Sequence, residues 1–202
     1  MKKTILVFFL SICILSLSLS AVFAITFSDL KSTHWAYNDI MNLANDGIIN
    51  GYKDGTYKPE KNVTRGEFLK LIMTSLYDGN EYFEVNNFNF GHWAMPYAIE
   101  AVNYNYLMDG TDSSGLNNDI SRLEMVHILA KVCIKNSIIN SKATSSIDFI
   151  DTEYLDENSK VFIDFVTENR LINGYTDGTF KPYKTMTRAE VATVISRFMS
   201  IK

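Results

Sequence analysis

A four-residue pattern occurs three times in this chain, as Thr64-Arg65-Gly66-Glu67, Ser121-Arg122-Leu123-Glu124 and Thr187-Arg188-Ala189-Glu190. Each copy stands at the front of an amphipathic stretch, which constrains the 202 residues to a threefold repeat of one helical unit. At a helix start, the hydroxyl residue can accept a backbone N–H while the glutamate three positions on reaches back, forming a capping box. Val63 with Phe68, Ile120 with Met125 and Met186 with Val191 add a hydrophobic staple at each start. The hydroxyls and glutamates therefore have structural work in any such fold. The arginine does not, because a cation in the first turn faces the positive end of the helix dipole, at a cost of roughly a few tenths of a kcal/mol. Two readings stand for it. One is an ion pair with a neighbouring acid such as Asp29 or Asp54. The other, preferred here, is an anionic ligand, since free N–H groups at a helix start and a forked guanidinium suit a carboxylate or phosphate.

Aligning the copies extends the unit. Repeat one runs from Phe27-Ser28-Asp29 through His34-Trp35-Ala36 to Asn50-Gly51-Tyr52-Lys53-Asp54-Gly55-Thr56-Tyr57-Lys58-Pro59, ahead of Arg65. Repeat three repeats the plan with Phe149-Ile150-Asp151 and Asn173-Gly174-Tyr175-Thr176-Asp177-Gly178-Thr179-Phe180-Lys181-Pro182, ahead of Arg188. Repeat two keeps His92-Trp93-Ala94 and Gly110, but its loop from Thr111 to Asp119 is shorter and lacks the aromatic-Lys-Pro segment. Each unit reads as helix, loop, helix. Ile40, Leu43 and Ala44, then Ile99 and Val102, then Phe162, Ile163 and Val166 mark the first helices at helical spacing. The second helices carry Phe68, Leu71, Ile72, Ser75 and Leu76, the stripe from Met125 to Cys133, and Val191, Val194, Ile195 and Phe198. Six helices make an all-α fold. The expected divisions are a leader over 1–24 and repeats over 25–79, 80–140 and 141–202.

The leader follows from Lys2 and Lys3, an apolar run from Ile5 to Leu19, and Ala21-Val22-Phe23-Ala24, the marks of a secretory signal peptide cleaved after Ala24. A retained anchor is the rival reading of the same run. With 19 basic against 23 acidic residues, and Lys2 and Lys3 lost on cleavage, the exported chain is acidic. That composition argues against nucleic acid and against nonspecific binding to an anionic membrane, so an anionic ligand must be held by local cations. No stable membrane insertion is expected once the leader is gone. Cleavage also leaves Cys133 as the single thiol, on an apolar stripe, which reads as a buried small hydrophobe.

With these motifs in this order, the chain resembles a triplet of S-layer homology repeats, the bacterial cell-wall anchoring module. The resemblance implies a pseudo-trimer with a central helical bundle and three prongs. It implies that grooves between repeats bind a secondary cell-wall polysaccharide, often one bearing a pyruvate ketal, at the cell surface. On that footing the ligand-binding candidates are Arg65, Arg122 and Arg188 for a carboxylate, and Trp35 and Trp93 for a sugar face. Asp54, Gly55, Asp177 and Gly178 are candidates for shaping the groove, although as turn formers they need no ligand, and the tryptophans have ordinary core packing as their other reading. Repeat three has Asn158 or Lys160 near where its tryptophan should fall, so the three grooves are not expected to be equal. A groove joining Arg65 to Trp35 is expected to be functional, and Arg65→Ala to lower glycan binding more than Arg122→Ala, because repeat one alone carries every element.

Partners follow from this reading: a wall polysaccharide, with another exported protein as a second one. The alternative function is a self-assembling surface-layer or protein–protein interaction component, for which Tyr82, Phe83, Phe88 and Phe90 could supply a patch. An enzyme is not expected, since the recurring acids have capping or turn roles and no His, Cys or Asp set has metal-ligand spacing. No cofactor or metal is expected.

Overall fold

The computed structural model describes residues 25–77, 91–108, 110, 112–139 and 147–202. The expected leader, and the aromatics Tyr82, Phe83, Phe88 and Phe90, lie outside the described residues. Among the described residues six helices occur: α1 (Tyr37–Asn45), α2 (Arg65–Leu76), α3 (Met95–Asn103), α4 (Arg122–Lys135), α5 (Glu157–Glu168) and α6 (Arg188–Ile201). They form no sheet, so the chain is all-α as expected. No helix among them is long and apolar enough to cross a membrane.

The repeated pattern starts helices as its chemistry requires. Thr64 and Thr187 are N-caps with complete capping boxes, each closed by the glutamate three residues on. Ser121 caps α4 by accepting from the Glu124 N–H at 3.2 Å, but Glu124 does not return the bond. At the other end, α1, α3 and α5 stop in the same way. Ile48, Tyr106 and Leu171 donate back to Leu43, Ala101 and Val166 at 2.9, 2.7 and 2.9 Å, after a left-handed residue at Gly47, Asn105 or Arg170.

Packing runs in a cycle. The second helix of each repeat lies on the first helix of the next: α2 on α3, α4 on α5, and α6 back on α1. The staple residues close that cycle through backbone bonds, Val63 N–H to Met186 O at 2.9 Å, Met186 N–H to Ile120 O at 3.2 Å, and Ile120 N–H to Val63 O at 2.9 Å. Each staple residue is therefore a donor to one neighbour and an acceptor for the other. All three side chains are essentially inaccessible to solvent, so the ring is a covered hub around a pseudo-threefold axis.

Around this hub α4 is buried almost all round, including His127 and Lys131, which a one-sided stripe did not suggest. Cys133 is buried within it as expected. The apolar face of α3 departs from expectation. Ala98 and Ala101 point inward, while Ile99 and Val102 are exposed. Close approach explains the change of face: Gly66 of α2 meets the turn before α3 so tightly that a Cβ there would lie 2.8 Å from that of Ala94. Only small residues fit such a contact.

Candidate functional site

The helix starts are not free N–H cradles. In each repeat the first two helical N–H groups donate to carbonyls of the next repeat's loop: Arg65 and Gly66 to Asn118 and Leu116, Arg122 and Leu123 to Lys184 and Pro182, Arg188 and Ala189 to Lys61 and Pro59, all at 2.8–3.0 Å. The third N–H goes to the N-cap hydroxyl. The expectation of open donors at these positions is corrected on that ground, because cyclic closure satisfies them internally. What reaches beyond the closure is the guanidinium.

The three guanidinium groups follow the same route and end differently. Arg188 Nε donates to Tyr57 O at 2.8 Å and a terminal nitrogen to Asn50 O at 3.0 Å, with its central carbon 4.4 Å from the centre of the Tyr57 ring and 5.0 Å from that of Tyr52. Arg122 bonds Asn173 O and lies over Phe180 and Tyr175 at 4.5 and 5.1 Å. It is only 5% exposed and its Nε has no hydrogen-bond partner. Arg65 bonds Ser114 O at 2.7 Å and forms an ion pair with Glu124 through Nε. None of the three pairs with Asp29 or Asp54. Asp29 accepts from the N–H groups of Tyr57 and Lys58, at 2.7 and 2.8 Å, and Asp151 holds Phe180 and Lys181 in the same way.

One arginine opens onto a groove of about 450 Å³. Its walls include Arg188, Tyr57, Glu67, Lys70, Trp93 and Tyr97, drawn from all three repeats. Loop one and the start of α6 form one side, and α2 with the start of α3 forms the other. Trp93 is 54% exposed and Trp35 63%, so neither indole is spent on the core. Each is set by its histidine: His34 and His92 accept the N–H of Ala36 and Ala94 through Nδ1 at 3.1 Å, and each ring lies beside its indole, 5.5 and 5.6 Å between centroids. That cap-like bond fixes the turn from which the indole projects.

The expected pairing of Arg65 with Trp35 does not occur. Trp35 starts the helix that packs along α6, where Thr193 donates to Asp39 at 2.7 Å, and the same cyclic relation gives that side to Arg122 and loop three. By the same relation Arg65 falls on the side of α4 and α5, where alignment of the helix ends at Gly47, Asn105 and Arg170 puts Asn158 in the tryptophan's place. Sequence spacing pairs elements within a repeat, whereas the fold pairs them across repeats.

Asp54, Gly55, Asp177 and Gly178 do not line the Arg188 groove. Each aspartate accepts from the N–H of the threonine two residues on at 3.0 Å and from its hydroxyl at 2.5–2.6 Å. Gly55 and Gly178 take φ of 79° and 80°, the left-handed turn position. Thr179, through its side chain and then its backbone, and Lys181 hold the Asp177 carboxyl down to about 2. These are turn residues with their polar atoms already engaged. The sequence reading missed Tyr52, Tyr57, Tyr175 and Phe180 as plates beneath the arginines, although the motif contains them. It also missed Glu124 and Tyr97. No group of His, Cys, Asp and Glu that could hold a metal occurs among the described residues.

The class defined is thus a closed three-repeat helical module in which one inter-repeat groove presents a guanidinium set over aromatic rings and an exposed indole. The S-layer homology domain profile matches residues 26–69 and 162–192, and the chain belongs to that family. It is 31% identical over 179 residues to exoglucanase XynX of Acetivibrio thermocellus, covering 85% of this chain and 16% of the relative. It is 32% identical over 164 residues to cell surface glycoprotein 1 of the same organism, covering 74% of this chain and 7% of the relative. Against the S-layer protein of Bacillus thuringiensis subsp. finitimus the figures are 27% over 178 residues, 85% and 21%. The chain spans less than a quarter of the length of each of these relatives.

Proposed function

We infer that this chain is a cell-surface anchoring module that binds a cell-wall polymer, specifically an acidic secondary wall polysaccharide such as a pyruvylated one, in the groove of Arg188 and Trp93. One observation carries the reading: a guanidinium set over the rings of Tyr57 and Tyr52 and a 54% exposed indole line the same 450 Å³ groove. A sugar ring can stack on the indole while its carboxylate meets the guanidinium edge, a charge-assisted contact roughly twice as strong as a neutral one. Lys70 on the facing wall adds a second cation. Relatives named as S-layer proteins and as a cellulosome-anchoring protein support placement at the cell surface. Binding is the module's whole role in this reading, and the relatives named as glucanases have most of their length outside the shared segment.

The test is pull-down of the purified chain with wall sacculi before and after removal of the secondary polysaccharide. Binding lost on removal is expected, and Trp93→Ala and Arg188→Lys should each weaken it about tenfold or more, since lysine keeps the charge but loses the planar stack and the second bond. Unchanged binding after removal would redirect the reading to peptidoglycan or protein.

A further inference from the structure

We propose that Glu124 is a specificity-determining residue which closes one of the three grooves, its carboxylate occupying Arg65 in place of a ligand's carboxylate. The proposal rests on the groove reading above. Its basis is a comparison of three equivalent glutamates. Glu67 and Glu190 each accept the N–H of their own N-cap at 2.9 Å and each has a lysine nearby, Lys61 at 3.8 Å from Glu67 and Lys184 in contact with Glu190. In that arrangement the glutamate faces its own helix start, and the incoming arginine is left to the loop's aromatic rings.

Repeat two breaks the arrangement at one position. Backbone turn bonds from Lys61 to Lys58, Asn118 to Gly115 and Lys184 to Lys181, at 3.1, 2.9 and 3.1 Å, mark Asn118 as the counterpart of the two lysines. With no cation there, Glu124 leaves its N-cap unreturned and turns onto Arg65. The loop has also lost its aromatic plates, so among the described residues no ring lies beneath this guanidinium to hold it away from the carboxylate. Both side chains are largely covered, 15% exposed for Arg65 and 8% for Glu124, so the pair is shielded from competing water and salt. Asp112 adds a further negative charge to Arg65's surroundings. An acidic sugar entering this groove would have to displace an intramolecular carboxylate that pays no association entropy, and would find Asn158 where an indole is needed.

The test follows the Arg Nε–H resonances by NMR while a methyl hexoside bearing a 4,6-pyruvate ketal is titrated into wild type, Glu124→Gln and Asn118→Lys. Glu124→Gln removes the blocking charge. Asn118→Lys keeps Glu124 and draws it back to its N-cap, so it guards against an effect of folding or of the lost acid alone. The expected result is that Arg188 responds in all three proteins and Arg65 only in the two variants, at weaker affinity than Arg188. Glu153→Gln, a surface charge change in repeat three, should leave Arg65 silent. A wild-type Arg65 that moves at the same ligand concentration as Arg188 overturns the proposal, as does an Arg65 that stays silent in both variants while Arg188 responds. Silence of Arg188 in the wild type withdraws the groove reading itself, and this inference with it.

Discussion

Gly174 and Gly55 are both loop glycines, yet they are glycine for different reasons, and substitution separates the two. A Cβ on Gly174 would lie 2.0 Å from the edge of the Phe149 ring, which packs against Phe180 beneath Arg122. Gly174→Ala must push that aromatic stack aside, an overpacking cost of about 1–3 kcal/mol. Gly55 has open space around it but a φ of 79°, so Gly55→Ala should cost only about 1 kcal/mol of backbone strain. Urea midpoints of the two variants check the order. Tyr57 gives a second prediction at this scale. Its hydroxyl donates to Arg188 O at 3.1 Å, its ring is 2% exposed, and burial pushes the phenol up to about 12 from an ordinary 10. Because the folded value is the higher, the contribution of the neutral phenol is complete below pH 10 and is lost as pH rises through 12. A shift of this size corresponds to about 2–3 kcal/mol. Urea midpoints measured from pH 9 upward should fall more steeply for the wild type than for Tyr57→Phe.

At the scale of single elements, one strained joint is where α5 ends. The left-handed position there is a glycine after α1, an asparagine after α3 and Arg170 after α5, with φ of 57°. Arg170→Gly relieves that strain and should raise stability by about 0.5–1 kcal/mol, the preference for glycine at this position offsetting its greater freedom when unfolded. A raised thermal midpoint with unchanged helix content is the expected measurement. The elements themselves were legible in the sequence because their signals are local. A threonine, a glutamate three residues on and a staple are read within one helical turn, and all three second helices start where that grammar puts them. The face of α3 was not legible, because Ile99 and Val102 look like its stripe until the glycine of another repeat comes close enough to admit only alanine.

At the scale of the whole molecule, the governing fact is that the repeats close on one another instead of stacking in a row. An open array of repeats can unfold from its ends. Here the starts of α2, α4 and α6 each depend on the next repeat's loop, and the last repeat's neighbour is the first. Fluorescence of Trp35 and Trp93 and far-ultraviolet circular dichroism should therefore report one coincident unfolding transition, and separate midpoints would contradict the closed cycle. The same closure explains what the sequence left hidden at the candidate site. Three arginines could be singled out, but their acceptors, Tyr57, Asn173 and Ser114, come from a different repeat in each case. Glu124 was hidden more deeply. Its departure is caused by an asparagine in a shortened loop, a change that has meaning only once the three loops are superposed.

Closure also sets an order of events for a chain made from its amino end. Tyr57 and Arg188 lie 131 residues apart, and neither the hub of backbone bonds nor the groove of Trp93 exists until both are present. A nascent chain holding only two repeats has the α4 start without its acceptors and the Trp93 groove without its Arg188 cation. The arrival of α6 then works as the latch that completes both the ring of backbone bonds and the walls of that groove.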